Sequence, residues 1–278
     1  GDDCLQIVKL RRAAGELFGN PILVRLDTTK EATGFASLNN VADLATRGPL
    51  TPDHTIHAKA FAAVFDADPT AELAEFENAY RKYFQEHATD AHQCLDTMPR
   101  YGVWKNKGMF YLAENRKRLE IVGDITQHTV RAIQQGEALG GWQALPRSDL
   151  FDVEYWSLEQ AKIKKKKKLL EGNIVVITGA TGTIGFETYK MFKSYGAEVV
   201  LLDNDLNRLK EVQLKIKDLC LHCDVTNKKS VKRAFKIICE KFGGFDILIS
   251  NAGAAPGGAI GEVSDEILRK SFEINFFS

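Results

Sequence analysis

The chain has 278 residues, 44% apolar and 27% charged, which is ordinary for a globular protein and too apolar for a disordered one. Its 37 basic and 37 acidic side chains balance, which excludes the strong overall field that nucleic acid or an anionic membrane attracts. No uncharged apolar stretch reaches the roughly 18 residues of a membrane span, and five cysteines without a ladder of spacings fit a reducing, cytoplasmic compartment better than a disulfide scaffold.

The length holds about two domains at roughly 100–200 residues each. Residues 1–160 carry 17 basic and 23 acidic side chains, and residues 161–278 carry 20 and 14. Lys162 and Lys164–Lys168 supply the basic excess, so a solvated, lysine-rich linker is expected over 161–172. The sequence opens on Gly1 without a leader pattern and closes on Phe276-Phe277-Ser278 without a helix stop, and it reads as an interior piece of a longer polypeptide.

In the first part, Pro21–Leu26 reads as a buried strand. Thr51-Pro52-Asp53 opens a helix, with Thr51 as its cap and Pro52 at its first position. Leu73, Phe76, Tyr80 and Tyr83 recur at helical spacing. Tyr101–Trp104 and Met109–Leu112 flank Asn106-Lys107-Gly108, a hairpin whose glycine makes the tight turn. Leu119, Val122, Ile125, Thr129 and Ile133 mark a long helix that stops at Gly140-Gly141.

From Asn173 apolar strands alternate with helices: strands at 174–177, 199–202, 219–223 and 247–250, helices to about residue 195 and over 205–217 and 227–242. Such near-continuous apolar strands predict a parallel sheet covered on both faces. Between the first strand and its helix lies Thr178-Gly179-Ala180-Thr181-Gly182-Thr183-Ile184-Gly185. Glycines there let the backbone approach a pyrophosphate, and the helix start offers N–H groups and a positive dipole end. The next strand ends on Asp203, whose carboxylate can accept from an adenosine ribose and repels a 2′-phosphate. No basic side chain in the loop offsets that, so NAD is favoured over NADP. A helix-capping role for Asp203 before Asn204-Asp205 fits the same position.

Cys223-Asp224-Val225 and Asn251-Ala252-Gly253 close the third and fourth strands. With the glycine loop they resemble the short-chain dehydrogenase/reductase family over residues 173–278. The resemblance implies a dinucleotide site lined by Gly179, Thr181, Gly182, Thr183, Ile184, Gly185, Asp203, Asp224, Val225, Asn251, Ala252 and Gly253. The glycines stand at positions two, five and eight of the octet, where the family's commonest loop has two, six and eight. Asn275 matches the family's catalytic asparagine, which holds a water of the proton relay. The orienting serine and the Tyr-x-x-x-Lys pair of the family would follow Ser278. Tyr101 and Lys105 have that spacing, but they precede the first strand of the parallel sheet, in the expected hairpin.

Arg47–His54, Gly136–Trp142 and Glu154–Glu159 resemble, in that order, bacterial fusions of a class II aldolase/adducin-like region with a short-chain dehydrogenase. These are associated with rhamnulose-phosphate cleavage and lactaldehyde oxidation. The fold expected is thus α/β throughout: an incomplete Rossmann fold, a doubly wound parallel sheet, after the closing segment of an aldolase-like region over 1–160. The resemblance implies an NAD-dependent oxidoreductase of a small hydroxyaldehyde, polyol or sugar derivative within a fused, homo-oligomeric sugar-metabolism protein. A non-catalytic dinucleotide-binding fragment and a metal-dependent aldolase are the alternatives. No nucleic acid or membrane partner is expected.

Class II aldolases bind zinc through imidazoles, which polarises a carbonyl. His54 and His57 could share one helix face, but spacing places no third ligand. Where the family carries a His-Gly turn ligand, this sequence has Lys107-Gly108. No metal site is therefore assigned. Cys220 and Cys223, with His222 between them, fall in a strand and read as packing.

Overall fold

Two four-stranded sheets absorb the apolar runs, one in each of two compact units: residues 1–167 with 240–243, and residues 168–239 with 244–278. The computed structural model describes residues 2–163, 167–255, 257–259 and 261–278. Lys164–Lys166, the centre of the expected linker, lie outside the described residues. No helix among those described is long and apolar enough to cross a membrane.

The first unit contains α1 (Asp2–Phe18), β1 (Leu23–Asp27), α2 (Lys30–Ala36), α3 (Val41–Thr46), α4 (Thr55–Ala58), β2 (Ala63–Phe65) and α5 (Pro69–His87). β3 (Tyr101–Trp104), β4 (Gly108–Ala113), α6 (Arg116–Ala138), α7 (Arg147–Glu154) and α8 (Ser157–Ile163) complete it. Its sheet runs β1-β4-β3-β2, antiparallel except for the β2–β3 pair. The expected hairpin is β3–β4. Asn106 (φ 61°) and Gly108 (φ 147°) make its turn, and a Cβ on Gly108 would collide with the Asp27 carbonyl oxygen.

One helix start differs from expectation. Thr51 caps nothing with its side chain, and Pro52–His54 is a single 3-10 turn. Thr55 then opens the short α4, which ends at Lys59 (φ 63°, ψ 172°), a backbone region that belongs almost wholly to glycine.

Lys59 is only 3% exposed. Its ammonium lies 3.9 Å from the Tyr80 ring centre and 3.9 Å from Glu154 Oε1. Tyr80 donates to Glu154 at 2.8 Å and shares a 3.0 Å hydrogen bond with the Tyr155 hydroxyl. Nearby, burial alone would raise the Asp96 carboxyl. The Arg100 guanidinium, forked onto both of its oxygens at 2.8 and 2.7 Å, holds it instead at about 2.

The second unit contains β5 (Ile174–Thr178), α9 (Thr183–Ser194), β6 (Glu198–Asp203), α10 (Leu206–Gln213), β7 (Leu219–His222), α11 (Lys228–Phe242) and β8 (Ile247–Ile249). α12 (Asp265–Phe272) continues as a π-helical turn, Glu273–Phe277. The strands lie in the order β7-β6-β5-β8 and all pair in parallel, as expected from their composition. Val175, Ile177, Val199 and Leu201 are fully buried and pack with Tyr189 and Leu209 from the covering helices. α10 is shorter than the expected 205–217, because the chain turns off the helix at Leu214.

Burial pushes the Lys59 ammonium down to about 8 from its ordinary 10.5. Across that window the unfolded chain binds the extra proton, so this lysine makes the first unit more stable as pH rises. Trp104, Trp142 and Trp156 all lie in residues 1–167, so their fluorescence reports this unit. The buried tyrosines of this unit, their phenols raised, oppose that gain in both proteins, so the measurement is a difference: the urea midpoint of the wild type minus that of Lys59→Met, followed by that signal, should rise with pH across the window.

Candidate functional site

β5, α9 and the segment after β8 meet at the glycine loop. Thr178, the polar end of an otherwise apolar strand, accepts from the backbone N–H groups of Asn251 and Ala252, each at 3.0 Å. Asn251 Nδ2 donates to the carbonyls of Thr178 (3.0 Å) and Gly179 (3.1 Å). Gly179 has φ 60°, and a Cβ there would lie 2.9 Å from Ala252 Cα. A Cβ on Gly185 would strike the Gly179 carbonyl oxygen and lie 2.8 Å from Ala180 Cα. Both glycines are therefore demanded by the protein's own packing.

Gly182 is different. Its φ of −71° suits any residue, and a Cβ would meet only the Gly179 oxygen, at an ordinary 3.4 Å. It is the N-cap residue of α9, and no side chain caps that helix. The first turn, with Thr183 and Ile184 exposed, thus presents backbone N–H groups and the positive end of the dipole without a side-chain acceptor.

Asp203, at the end of β6, reaches into the same loop. Its Oδ2 accepts from the backbone N–H of Thr181 at 2.9 Å and from the Thr181 hydroxyl at 2.7 Å. Its Oδ1 accepts from Asp205 N at 3.0 Å, while Asp205 itself caps α10. Asp224 Oδ1 turns the chain after β7 by accepting from the backbone N–H (3.0 Å) and hydroxyl (2.7 Å) of Thr226. Val225 beside it is half-buried.

Asn275 lies on the π-helical turn. Its Oδ1 accepts from Ala254 N at 3.1 Å, and its Nδ2 donates to Ala254 O at 2.7 Å and Ser271 Oγ at 3.2 Å. These are the contacts of a clamp on the loop that begins at Asn251, and a Cβ on Gly253 would lie 2.9 Å from Asn275 Oδ1. The expected site residues thus fall into three places. Gly179, Thr181, Gly182, Gly185, Asp203, Asn251 and Ala252 interlock, Gly253 and Asn275 continue from them, and Asp224 with Val225 stands at the next strand end.

Sequence reasoning missed two features here. Thr178 is one, and its signal was a hydroxyl ending an apolar strand. The other is a second Tyr-x-x-x-Lys spacing, Tyr189–Lys193, on α9. The structure turns both side chains onto Asp218, with Tyr189 OH donating at 2.8 Å and Lys193 Nζ at 2.8 Å. Burial and that carboxylate push the Tyr189 phenol up, away from acid–base use near neutral pH. Tyr101 is likewise buried in β3, with its phenol raised by burial, and Lys105 pairs with Asp66 at 3.1 Å.

Cys220 and Cys223 are buried. Burial, then Asp218, pushes the Cys220 thiol up to about 11, which keeps it protonated and a poor nucleophile at neutral pH. His54 ends the 3-10 turn and His57 lies on α4. Among the described residues, no group of three or more His, Cys, Asp or Glu is arranged to hold a metal ion.

Residues 4–163 match the family described as aldolase class II, second domain, and residues 173–278 match short chain dehydrogenase. The chain belongs to the class II aldolase family and carries a short-chain dehydrogenase domain after it. Uncharacterized oxidoreductase YuxG of Bacillus subtilis (strain 168) is 24% identical over 264 residues, 87% of this chain and 38% of that protein. Short-chain dehydrogenase reductase 3b of Arabidopsis thaliana is 43% identical over 89 residues, 31% of this chain and 35% of that one. Short chain aldehyde dehydrogenase 1 of Euphorbia lathyris is 36% identical over 116 residues, 40% of each. A crystal structure of a short-chain dehydrogenase/reductase from Brucella melitensis, a glucose/ribitol dehydrogenase, aligns with TM-score 0.38 and 27% identity, covering 40% of this chain and 49% of that one. The chain spans two-fifths or less of the length of these curated relatives.

Truncating Asn251 removes two hydrogen bonds to loop carbonyls. Asn251→Ala should cost the dehydrogenase domain about 2 kcal/mol, at about 1 kcal/mol per bond. Circular dichroism melts can check this.

Proposed function

We propose that the dehydrogenase domain is the dinucleotide-binding part of an NAD-dependent oxidoreductase within a longer fused protein. The single observation that carries this reading is Gly182. The protein's own packing does not require glycine there, yet it opens an uncapped helix at the loop between strand and helix. Backbone approach by an anionic ligand is a reason for glycine that the rest of the chain does not supply. In this reading the α9 N-terminus holds the pyrophosphate, Asp203 meets the adenosine ribose, and Asp224 and Val225 border the adenine. Asn251 and Asn275 keep the two loops in register beside it. The cofactor, when bound, supplies hydride exchange with a substrate hydroxyl or carbonyl carbon.

Asp203 also favours NAD over NADP. Its oxygens already hold Thr181 and Asp205, yet each carboxylate oxygen accepts more than one hydrogen bond, so the capping and ribose roles are compatible. A 2′-phosphate brought beside it would face a fixed negative charge. The substrate we propose is a small hydroxyaldehyde, polyol or sugar derivative, in line with the attached aldolase-family region, and the setting is cytoplasmic. Both Tyr-x-x-x-Lys pairs of this chain are spent elsewhere, so the acid–base step of this reading belongs to other residues of the parent protein.

Calorimetric titration of the chain should show NADH binding more tightly than NADPH. Asp203→Ala should weaken NADH about tenfold, about 1.4 kcal/mol, and reduce the preference between the two. Absence of binding by either cofactor would remove the reading. Tyr189→Phe should lower the domain's stability by about 1 kcal/mol while leaving NADH affinity unchanged. A large loss of affinity in that variant would place Tyr189 in the site after all.

A further inference from the structure

Net charge speaks against a nucleic-acid partner, but it averages over a surface on which the cations are not spread evenly. α11 carries Lys228, Lys229, Lys232, Arg233 and Lys236, all exposed, and its one carboxylate, Glu240, comes near its end. The cations share one side of the helix, opposite the buried Ala234 and Ile238. Other helices of this chain pair their surface cations at helical spacing: Arg81 with Glu77, Lys82 with Glu86, Lys190 with Glu187. Among the described residues, no carboxylate forms an ion pair with Lys228, Lys229, Lys232 or Arg233.

Two of these cations also stand where a helix disfavours them. Asn227 caps α11, its Oδ1 accepting from Lys229 N at 3.0 Å and Ser230 N at 3.2 Å. Lys228 and Lys229 therefore occupy the first turn, beside the positive end of the dipole, where carboxylates are favoured and cations are not. Unpaired cations kept there give up stability that an anionic partner restores.

The stripe has an aromatic edge. Phe235, three residues after Lys232 and so its neighbour on the helix surface, packs against Phe245 with ring centres 5.1 Å apart. Phe245 is 39% exposed. Lys228, Lys232 and Lys236 rise about 6 Å per step along the axis, comparable with the step between phosphates of an extended strand. Cations that track a backbone, with an open aromatic ring beside them, are the chemistry of single-strand binding. An acidic protein segment would satisfy the cations but would give Phe245 no base to stack on.

We propose that this face of α11 binds single-stranded nucleic acid, with Lys228, Lys229, Lys232 and Arg233 on its phosphates and Phe245 against a base. Such binding reads no sequence, since every base has a stacking face. It weakens with salt, because it rests on released counterions.

The test uses the whole chain and a fluorescein-labelled oligouridylate of about ten nucleotides, followed by anisotropy between about 50 and 200 mM salt. The logarithm of the dissociation constant should rise with the logarithm of salt concentration at a slope of about 3, for four phosphates. In Lys229→Gln/Lys232→Gln/Arg233→Gln the slope should fall to about 1, while the melting temperature stays at or above that of the wild type. Phe245→Ala should weaken binding about tenfold with the slope unchanged, and Phe245→Tyr should keep it. No binding at the lowest salt, or wild-type binding by the triple variant, overturns the proposal. So does a labelled polyglutamate that binds as tightly and ignores Phe245→Ala, which would make the partner an acidic protein. The proposed dinucleotide residues are not among these cations, so NADH should not displace the oligonucleotide. Displacement would put the strand in the dinucleotide site and overturn the α11 assignment. Failure of NADH to bind leaves the oligonucleotide titrations as they are, so this proposal and the oxidoreductase reading fail separately.

Discussion

One side-chain amide holds the nucleotide loop in shape. Asn251 Nδ2 reaches the carbonyls of Thr178 and Gly179 together, tying the end of β5 to the segment that leaves β8. Gly179 and Gly185 are small because this tie draws Ala252 and the start of α9 onto the turn. The uncapped first turn of α9 is aimed by that packing. The direction of its N–H groups is therefore set by residues about seventy positions further along the chain.

Polar side chains at the strand ends, and Asn275 on the π-helical turn, fix the loops of the second unit. Asp203 fixes Thr181 and Asp205, Asp224 fixes Thr226, and Asn275 clamps Ala254. Each holds its own loop rigid at the carboxyl edge of the parallel sheet, which is where such sheets bind ligands. A rigid carboxylate discriminates between a ribose hydroxyl and a phosphate better than a mobile one, because it cannot swing away from the wrong partner.

The parallel sheet was legible because its strands are apolar on both faces and its turns carry glycine. That pattern survives without knowledge of any partner. The hairpin at Asn106–Gly108 was legible for the same local reason. Spacing alone failed where location decides the chemistry. Tyr189–Lys193 has the right interval on a helix, yet Asp218 claims both ends. Tyr80 showed at helical spacing and Glu154-Tyr155 within a motif, but their meeting with Lys59 left no sequence trace, since the members come from three separate elements and a lysine ordinarily signals a surface. Thr51 shows the limit of cap signals. It has the right residue type and a proline after it, but the helix it should open lasts one turn before Lys59 reverses the chain.

Lys59 has a consequence for the order in which the first unit folds. Its glycine-like backbone conformation costs about 1–3 kcal/mol in isolation. The contacts that offset this come from Tyr80 on α5 and Glu154 on α7, far later in the chain. The turn after α4 cannot close by itself, and must wait for a loop of nearly a hundred residues to bring Glu154 home. That sequence separation assigns the segment to the late side of the folding barrier, with low φ-values, and makes its release an early step of unfolding.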